Sequence, residues 1–173
     1  NESLGGEIDA IDVATMKAHM DDGGNVCVAG IKAPAQIWSV DSAFMKNYYR
    51  CRTDSTTPID AVVSVYDGVP GNGVSNQLTV GIQSAPVTYV NHILTPINGG
   101  VPTFTFKDEF GGGNYGNGGV IYSGAYRSVL LSFAPEFLAV QSIPVTTQPL
   151  DTLLARILNF FSTGAATGVD DDD

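Results

Sequence analysis

The feature that most constrains this chain is the run Ser128-Val129-Leu130-Leu131-Ser132-Phe133. A continuous apolar run of this length is typical of a strand buried on both faces of a parallel sheet, since an exposed face would show alternating polar residues. Such a sheet needs helices on its faces, and a helical apolar stripe follows at Leu150, Leu153, Leu154, Ile157, Leu158 and Phe161. The chain is therefore predicted to have an α/β fold, with a mixed sheet flanked by helices.

The charge balance excludes two classes of partner. The 173 residues carry 8 Lys and Arg against 18 Asp and Glu, a formal net charge of −10. Without basic residues to neutralise phosphates, no binding of nucleic acid or of anionic lipid is expected. No apolar run approaches the roughly 18 to 20 residues that cross a bilayer, so no membrane insertion is expected either. The low lysine content and the many Gly, Asn, Ser and Thr residues favour an extracellular or cell-surface location.

The first 50 residues predict two helices and a strand. Residues 8–20 show a helical recurrence at Ile8, Ile11, Ala14 and Ala18, and residues 25–29 follow as a short buried strand. Pro34 argues against a long helix directly after this strand, so a loop is expected as far as Trp38. Asp41 or Ser42 then caps a short helix through residues 44–49.

The middle of the chain reads as strands and turns. Residues 61–66, 78–82, 88–94 and 103–106 are β-branched or aromatic and are separated by Gly, Pro and Asn. Residues 53–58 are expected to form a turn-rich connection. The glycine-rich residues 111–119 are predicted to form a mobile surface loop. They do not fit a phosphate-binding loop, which needs a strand before it and a helix after it.

Three stretches together resemble the class I glutamine amidotransferase-like (flavodoxin-like) domains of large secreted bacterial proteins. The first is the helix followed by Asp22-Gly23-Gly24-Asn25-Val26-Cys27-Val28-Ala29-Gly30, and the second is Phe44-Met45-Lys46-Asn47-Tyr48-Tyr49. The third is the strand at 126–133 with Ala134-Pro135-Glu136-Phe137 and the helix at 153–161. The resemblance implies a flavodoxin-like sheet, with residues of about 58–122 as a β-rich insertion. It also implies at least one strand and helix before Ile8, so the domain is expected to be N-terminally truncated.

The resemblance places the family's catalytic residues at positions that lack them here. Lys32 stands where the family has its cysteine nucleophile, after Gly30-Ile31, and Ala134 stands where it has its histidine. Only the carboxylate, Glu136, matches the family motif. Because a thiolate needs a neighbouring base, losing both groups removes the acyl-transfer machinery. No catalytic residue is therefore assigned, with Glu136 as the one weak candidate, and the chain is expected to be non-catalytic.

The two cysteines allow two interpretations. A disulfide between Cys27 and Cys51 would suit an extracellular protein and would stabilise it by roughly 3 kcal/mol. Alternatively, Cys27 is a buried small hydrophobe pointing into the sheet, and Cys51 is a free thiol at the end of another element.

Other polar and aromatic residues carry weaker predictions. No cofactor is expected; calcium bound by Asp108 and Glu109, with Asp67 and Glu136, is the alternative. His19 and His92 are the only histidines, and a triad built on either is not favoured. Five aromatic residues offer a sugar platform or, more commonly, core packing: Trp38, Tyr48, Tyr49, Tyr115 and Tyr122.

The predicted organisation is one amidotransferase-like domain, residues 1–163, followed by an acidic disordered linker, residues 164–173. Its predicted function is that of a non-catalytic structural or partner-binding module of a secreted or cell-surface bacterial protein. Its expected partners are other domains or chains of the same protein. Two alternatives stay open: a hydrolase- or peptidase-associated domain whose catalytic residues lie elsewhere, and a subunit of an extracellular assembly, which includes a homo-oligomer.

Overall fold

The computed structural model describes residues 7–59, 63–83, 89–108, 114–134 and 150–163. Its helical elements are α1 (Ala10–Asp21), α2 (Ala33–Val40), α3 (Ser42–Phe44), a π-helical turn (Met45–Tyr49) and α4 (Leu150–Thr163). Its strands are β1 (Val26–Ala29), β2 (Cys51–Ile59), β3 (Val63–Gly68), β4 (Thr79–Gln83), β5 (Tyr89–Pro96), β6 (Val101–Asp108), β7 (Gly116–Ser123) and β8 (Arg127–Leu131). No helix among these residues is long and apolar enough to cross a membrane.

The strands form one curled, mixed sheet. Its main order is β1-β8-β7-β6-β3-β4, and β5 joins β7 while pairing with β2. The parallel pair is β1 with β8, in a register that places Val26 beside Ser128 and Ala29 beside Leu131. The other pairings of the described strands are antiparallel. The mixed α/β class is therefore confirmed, while the flavodoxin-like arrangement stays a prediction.

One core lies between the sheet and α4. Phe133 is fully buried there, with its ring 4.6 Å from that of Tyr66 and 5.3 Å from that of Phe104. From α4, Leu153, Ile157 and Phe160 cover these rings. The apolar residues of α4 and β8 thus pack in one core, as the sequence predicts. Each element removes the apolar surface of the other from water.

The second core lies on the opposite face, under α1, α2 and the π-helical turn. It contains Ile37, Met45, Tyr49, Leu94 and Leu130, all at 0% exposure. From α1, the buried residues are Val13 and Met20. The predicted helix is confirmed, but of the residues whose recurrence predicts it, Ile11, Ala14 and Ala18 face solvent and Ile8 packs on the core. Val13 and Met20 are buried instead, because their larger side chains bury more apolar surface than Ala14 and Ala18 would.

Three local predictions also need correction. Residues 33–40 are helical, not a loop, since Pro34 lies in the first turn, where a missing N–H costs nothing. Residues 51–59 form β2, not a turn-rich connection, and their pairing with β5 supplies the hydrogen bonds that their composition does not predict. Of the expected glycine loop, residues 116–119 belong to β7. The cap at Asp41 is confirmed, since its carboxylate accepts from the Phe44 N–H at 2.9 Å.

Candidate functional site

The carboxyl ends of β1 and β8 form the place where the resemblance expects an active site. The two strands are parallel neighbours, and the Gly30 N–H donates to the Leu131 carbonyl at 3.2 Å, so the residues that follow them share one edge of the sheet. Lys32 is exposed there at the start of α2, and Ala134 is buried. Glu136 lies outside the described residues. Neither described position carries a thiol or an imidazole.

The histidines do not supply the missing base. His19 is in the last turn of α1, before β1, and its ring lies against Gly24 at the amino end of that strand. His92 lies on β5, where desolvation lowers its pKa below the ordinary value. Neither residue lies at the edge that carries Lys32 and Ala134.

The two cysteines are both free in the structure. Cys51 begins β2 and is fully buried, and burial raises the pKa of its thiol to about 12. Cys27 is exposed on β1, so the prediction that it points into a buried sheet was wrong. Its sulfur is nevertheless partly desolvated by neighbouring atoms, which raise the thiol pKa to about 11. Cys27 is exposed because β1 is the end strand among those described, so fewer neighbours cover it than cover a central strand.

The predicted calcium ligands are not assembled in the part of the chain that is described. Asp67 accepts a hydrogen bond from the Lys107 ammonium at 2.6 Å and one from the Thr79 hydroxyl at 3.0 Å. Its charge is thus already neutralised by a lysine. Asp108 ends β6, and Glu109 lies outside the described residues. Within the described ranges, no group of three or more His, Cys, Asp or Glu side chains surrounds a metal-sized site.

The aromatic residues proposed as a sugar platform lie in different places. Tyr49 is in the core, and Tyr115 packs on Phe106 with 5.5 Å between ring centres. Tyr48 and Tyr122 both contact Tyr126, at 5.6 and 5.3 Å. The five aromatic side chains therefore do not form one platform.

Tyr48 belongs to a small charged network on α1. Its hydroxyl donates to Asp21, whose carboxylate also pairs with the Lys17 ammonium at 2.6 Å. These hydrogen bonds, with that of Lys17 the larger, lower the pKa of Asp21, and the pKa of Lys17 is raised in turn. Beyond Tyr126, the Arg50 guanidinium stacks on the Tyr122 ring at 4.7 Å. The Asp21 charge is thus paired with that of Lys17, while the Arg50 charge rests on an aromatic ring.

The outer edge of β1 is unpaired in the part of the chain that the structure describes. Among the described strands, β1 pairs only with β8, so its outer edge has no strand beside it. The Gly30 N–H points to β8. Because successive residues of a strand alternate in direction, the N–H and C=O groups of Cys27 and Ala29 point outward at this edge. Such an edge can accept another strand.

One flank of α4 exposes two leucines. Leu154 is 46% and Leu158 is 67% exposed. On a helix, these residues lie about 100° round from Leu153 and Ile157, away from Arg156, which donates to the Asn76 carbonyl near β4. The flank is therefore on the side of α4 opposite Arg156 and toward β1, because Asn25, just before β1, donates to the Phe161 carbonyl of α4 at 3.3 Å. We call the β1 edge, Cys27, Leu154 and Leu158 the uncovered side.

The sequence places Leu154 and Leu158 in the same apolar stripe as the buried Leu153 and Ile157, and does not separate the two pairs. A signal was available, since seven large apolar residues within the 12 residues 150–161 of α4 make a stripe wider than one sheet contact buries. A stripe of that width indicates a second packing partner for the helix.

Comparison with known proteins bears on the fold. No family model and no curated protein matches the chain. The crystal structure of a cold-adapted β-galactosidase from Rahnella sp. R3 is similar over 90% of this chain, with a TM-score of 0.55 at 10% identity. The mmIFT52 N-terminal domain is similar over 93% of it, with a TM-score of 0.50 at 15% identity. The chain spans 21% of the β-galactosidase chain and 73% of the mmIFT52 chain. At these identities the likeness shows the fold alone, and the amidotransferase-like resemblance stays a prediction.

Proposed function

We propose that this chain is a non-catalytic interaction module of a secreted or cell-surface bacterial protein, and that it binds another domain or chain of that protein through the uncovered side. The observation that carries this proposal is the juxtaposition of an unpaired strand edge with exposed Leu154 and Leu158. Lys32 and Ala134, at the positions that would hold a nucleophile and a base, support the non-catalytic part. On the same grounds the domain is proposed to be a degenerate amidotransferase-like module.

The binding mode follows from the chemistry of the two elements. A partner strand would pair with the outward N–H and C=O groups of Cys27 and Ala29, which gives register and orientation. Covering Leu158 would contribute about 1.5 to 3 kcal/mol, because a leucine side chain leaves water. The named side chains of this surface carry no charge in a chain with a net charge of −10.

The thiol of Cys27 provides the test, because Cys51 is buried and serves as an internal reference. Maleimide labelling of Cys27 is measured in the purified chain and in the natural polypeptide with its partners present. We expect at least a tenfold slower rate in the natural polypeptide. Leu158→Lys should restore fast labelling, whereas Ile11→Lys, an equally exposed change on α1, should not. Equal rates in both preparations would show that nothing covers this side.

A second candidate is a domain of a larger hydrolase whose catalytic residues lie outside this chain. It is favoured by the similarity to one fifth of a β-galactosidase chain, because the same fold then serves as one part of a glycoside hydrolase. The natural polypeptide, assayed with nitrophenyl glycosides, esters and amides, would turn over one of them, and the chain alone would not. Turnover by the chain alone that is abolished by Glu136→Ala would overturn both candidates.

A further inference from the structure

A cleft lies at the other end of the sheet, beside β3, β4 and β6. Its volume is about 510 Å³, and it is shallow and widely open to solvent. Val69, Pro70 and Leu78 form part of its lining. Six polar residues form most of the rest: Asp67, Gln77, Thr79, Thr105, Lys107 and Asn114. A cleft of this size lies within the range that holds small ligands.

The charge of the cleft is balanced. Asp67 and Lys107 form an ion pair at 2.6 Å, and each side chain is 35% exposed. An anionic ligand would be attracted by Lys107 but repelled by Asp67. A cationic ligand would be attracted by Asp67 but repelled by Lys107. The lining therefore favours a ligand without net charge.

The hydrogen-bonding groups of the cleft match hydroxyl groups. A hydroxyl donates one hydrogen bond and accepts two. The Asp67 carboxylate accepts, the Lys107 ammonium donates, and Thr105 can do both. The Asn114 side-chain oxygen already accepts from the Gly116 N–H at 2.9 Å, which leaves its NH₂ group to donate. Donors and acceptors alternating over one small surface suit a ligand with several adjacent hydroxyls.

The loop that forms one wall is held in place by buried polar side chains. Residues 69–78 connect β3 to β4. Asn72 is 3% exposed, and its amide nitrogen donates to the Pro102 carbonyl at 3.0 Å while its oxygen accepts from the Val74 N–H at 3.0 Å. Ser75 is 0% exposed and donates to the Thr103 carbonyl. These bonds hold the loop against β6 before any ligand binds.

Two further contacts fix the rim. The Gly71 N–H donates to the Asn76 side chain at 3.1 Å, and Arg156 of α4 donates to the Asn76 carbonyl. Gln77 has a φ of 58°, a left-handed conformation that is uncommon for a residue other than glycine. Fixed polar groups lose less entropy on binding than mobile ones do. The loop is therefore a fixed wall of the cleft, with Gln77 as its polar lining residue, beside the strands that carry Asp67, Thr105 and Lys107.

From the balanced charge, the mixed donors and acceptors and the fixed loop, we propose that this cleft binds a neutral saccharide. The Asp67 carboxylate accepts from sugar hydroxyls, and the Lys107 ammonium donates to them. Thr105 and Asn114 complete the contacts. This proposal is independent of the interaction module at β1, which lies at the opposite end of the sheet.

The test is a titration of the full chain, followed by the NMR shifts of its backbone amides, with glucose, galactose, mannose, xylose and N-acetylglucosamine. We expect at least one of them to shift the amides of residues 67–69, 77–79 and 105–107 saturably in the millimolar range. Asp67→Asn should weaken the binding at least tenfold. Asp21→Asn, which breaks a salt bridge of the same 2.6 Å length on α1, should leave it within twofold.

Each other outcome would overturn the proposal. No saturable shift of these amides with any of the five sugars would do so, as would an unchanged affinity in Asp67→Asn. A tighter response to glucuronate or glucosamine than to the neutral sugars would show that charge, not hydroxyl groups, is recognised. If Asp67→Asn loses its native amide dispersion, Thr105→Val replaces it, with the same tenfold loss expected and an unchanged affinity overturning the proposal.

Discussion

The two cysteines give the sharpest test of the packing, because one is buried in a core and the other is exposed. Cys51 is at 0% exposure in the core that contains Tyr49 and Leu94, whereas Cys27 is exposed. Cys51→Ser places a hydroxyl among apolar side chains. An unpaired buried hydroxyl costs about 1 to 3 kcal/mol. Cys27→Ser changes a solvent-facing group and should lie within about 0.5 kcal/mol of the parent.

These differences are measurable by urea and thermal unfolding. In a chain of this length, 1 kcal/mol shifts Tm by about 2 to 4 °C, so Cys51→Ser should lower Tm by roughly 2 to 12 °C. Cys51→Ala removes the sulfur without adding a polar group and should cost less than the serine variant. A Cys27→Ser variant as unstable as Cys51→Ser would refute the reasoning, as would a serine variant more stable than the alanine variant.

Three further outcomes are expected. Phe133→Ala, at the centre of the α4-side core, should cost about 3 to 5 kcal/mol in urea unfolding, while Leu154→Ala should cost under about 1 kcal/mol. Gly68→Ala should cost about 1 to 3 kcal/mol, because the added Cβ would lie 1.6 Å from the Ser75 carbonyl oxygen; an unchanged urea midpoint would contradict this. His92 has a lowered pKa, so the folded state binds its proton less readily than the unfolded state. Its contribution is therefore fully present above the unfolded value of 6.5 and lost as pH falls below it. His92→Gln should flatten that part of the stability profile, and an identical profile would contradict the assignment.

Helices and strands were predictable from the sequence where the apolar pattern of one segment alone indicates its secondary structure and its buried face. The helix at Leu150–Thr163 and the strand at Arg127–Leu131 agree with their predictions, because each apolar run is long and unbroken. Strand Cys51–Ile59 was missed because its Thr, Ser and Pro residues read as a turn. Its pairing with β5, some 40 residues away, is a tertiary contact that local propensity does not contain.

The exposure of single residues was harder to predict, because it depends on which element lies at the end of the sheet. Cys27 stands in an apolar run, but β1 is the end strand among those described, and Cys27 is exposed there. Cys51 follows Arg50, whose left-handed backbone, with a φ of 54°, turns the chain from the helical layer into β2. The candidate saccharide cleft was not predictable for the same reason. Asp67, Thr79 and Lys107 come from three strands, and only the register of β4, β3 and β6 brings them together.

The positions of the two proposed surfaces lead to a last prediction. The uncovered side is at β1, and the cleft is beside β4, at the two ends of one sheet. The helix α4 touches both regions, with Leu158 on one flank and Arg156 bonded to the cleft loop on the other. Leu158 is 67% exposed, so its replacement changes no buried contact that reaches Arg156. Distant sites without shared partners act additively. Leu158→Lys should therefore abolish protection of Cys27 and leave saccharide affinity within twofold, measured by the same amide shifts. A tenfold change in affinity would mean that α4 transmits binding at β1 to the cleft, and that the two surfaces work as one site.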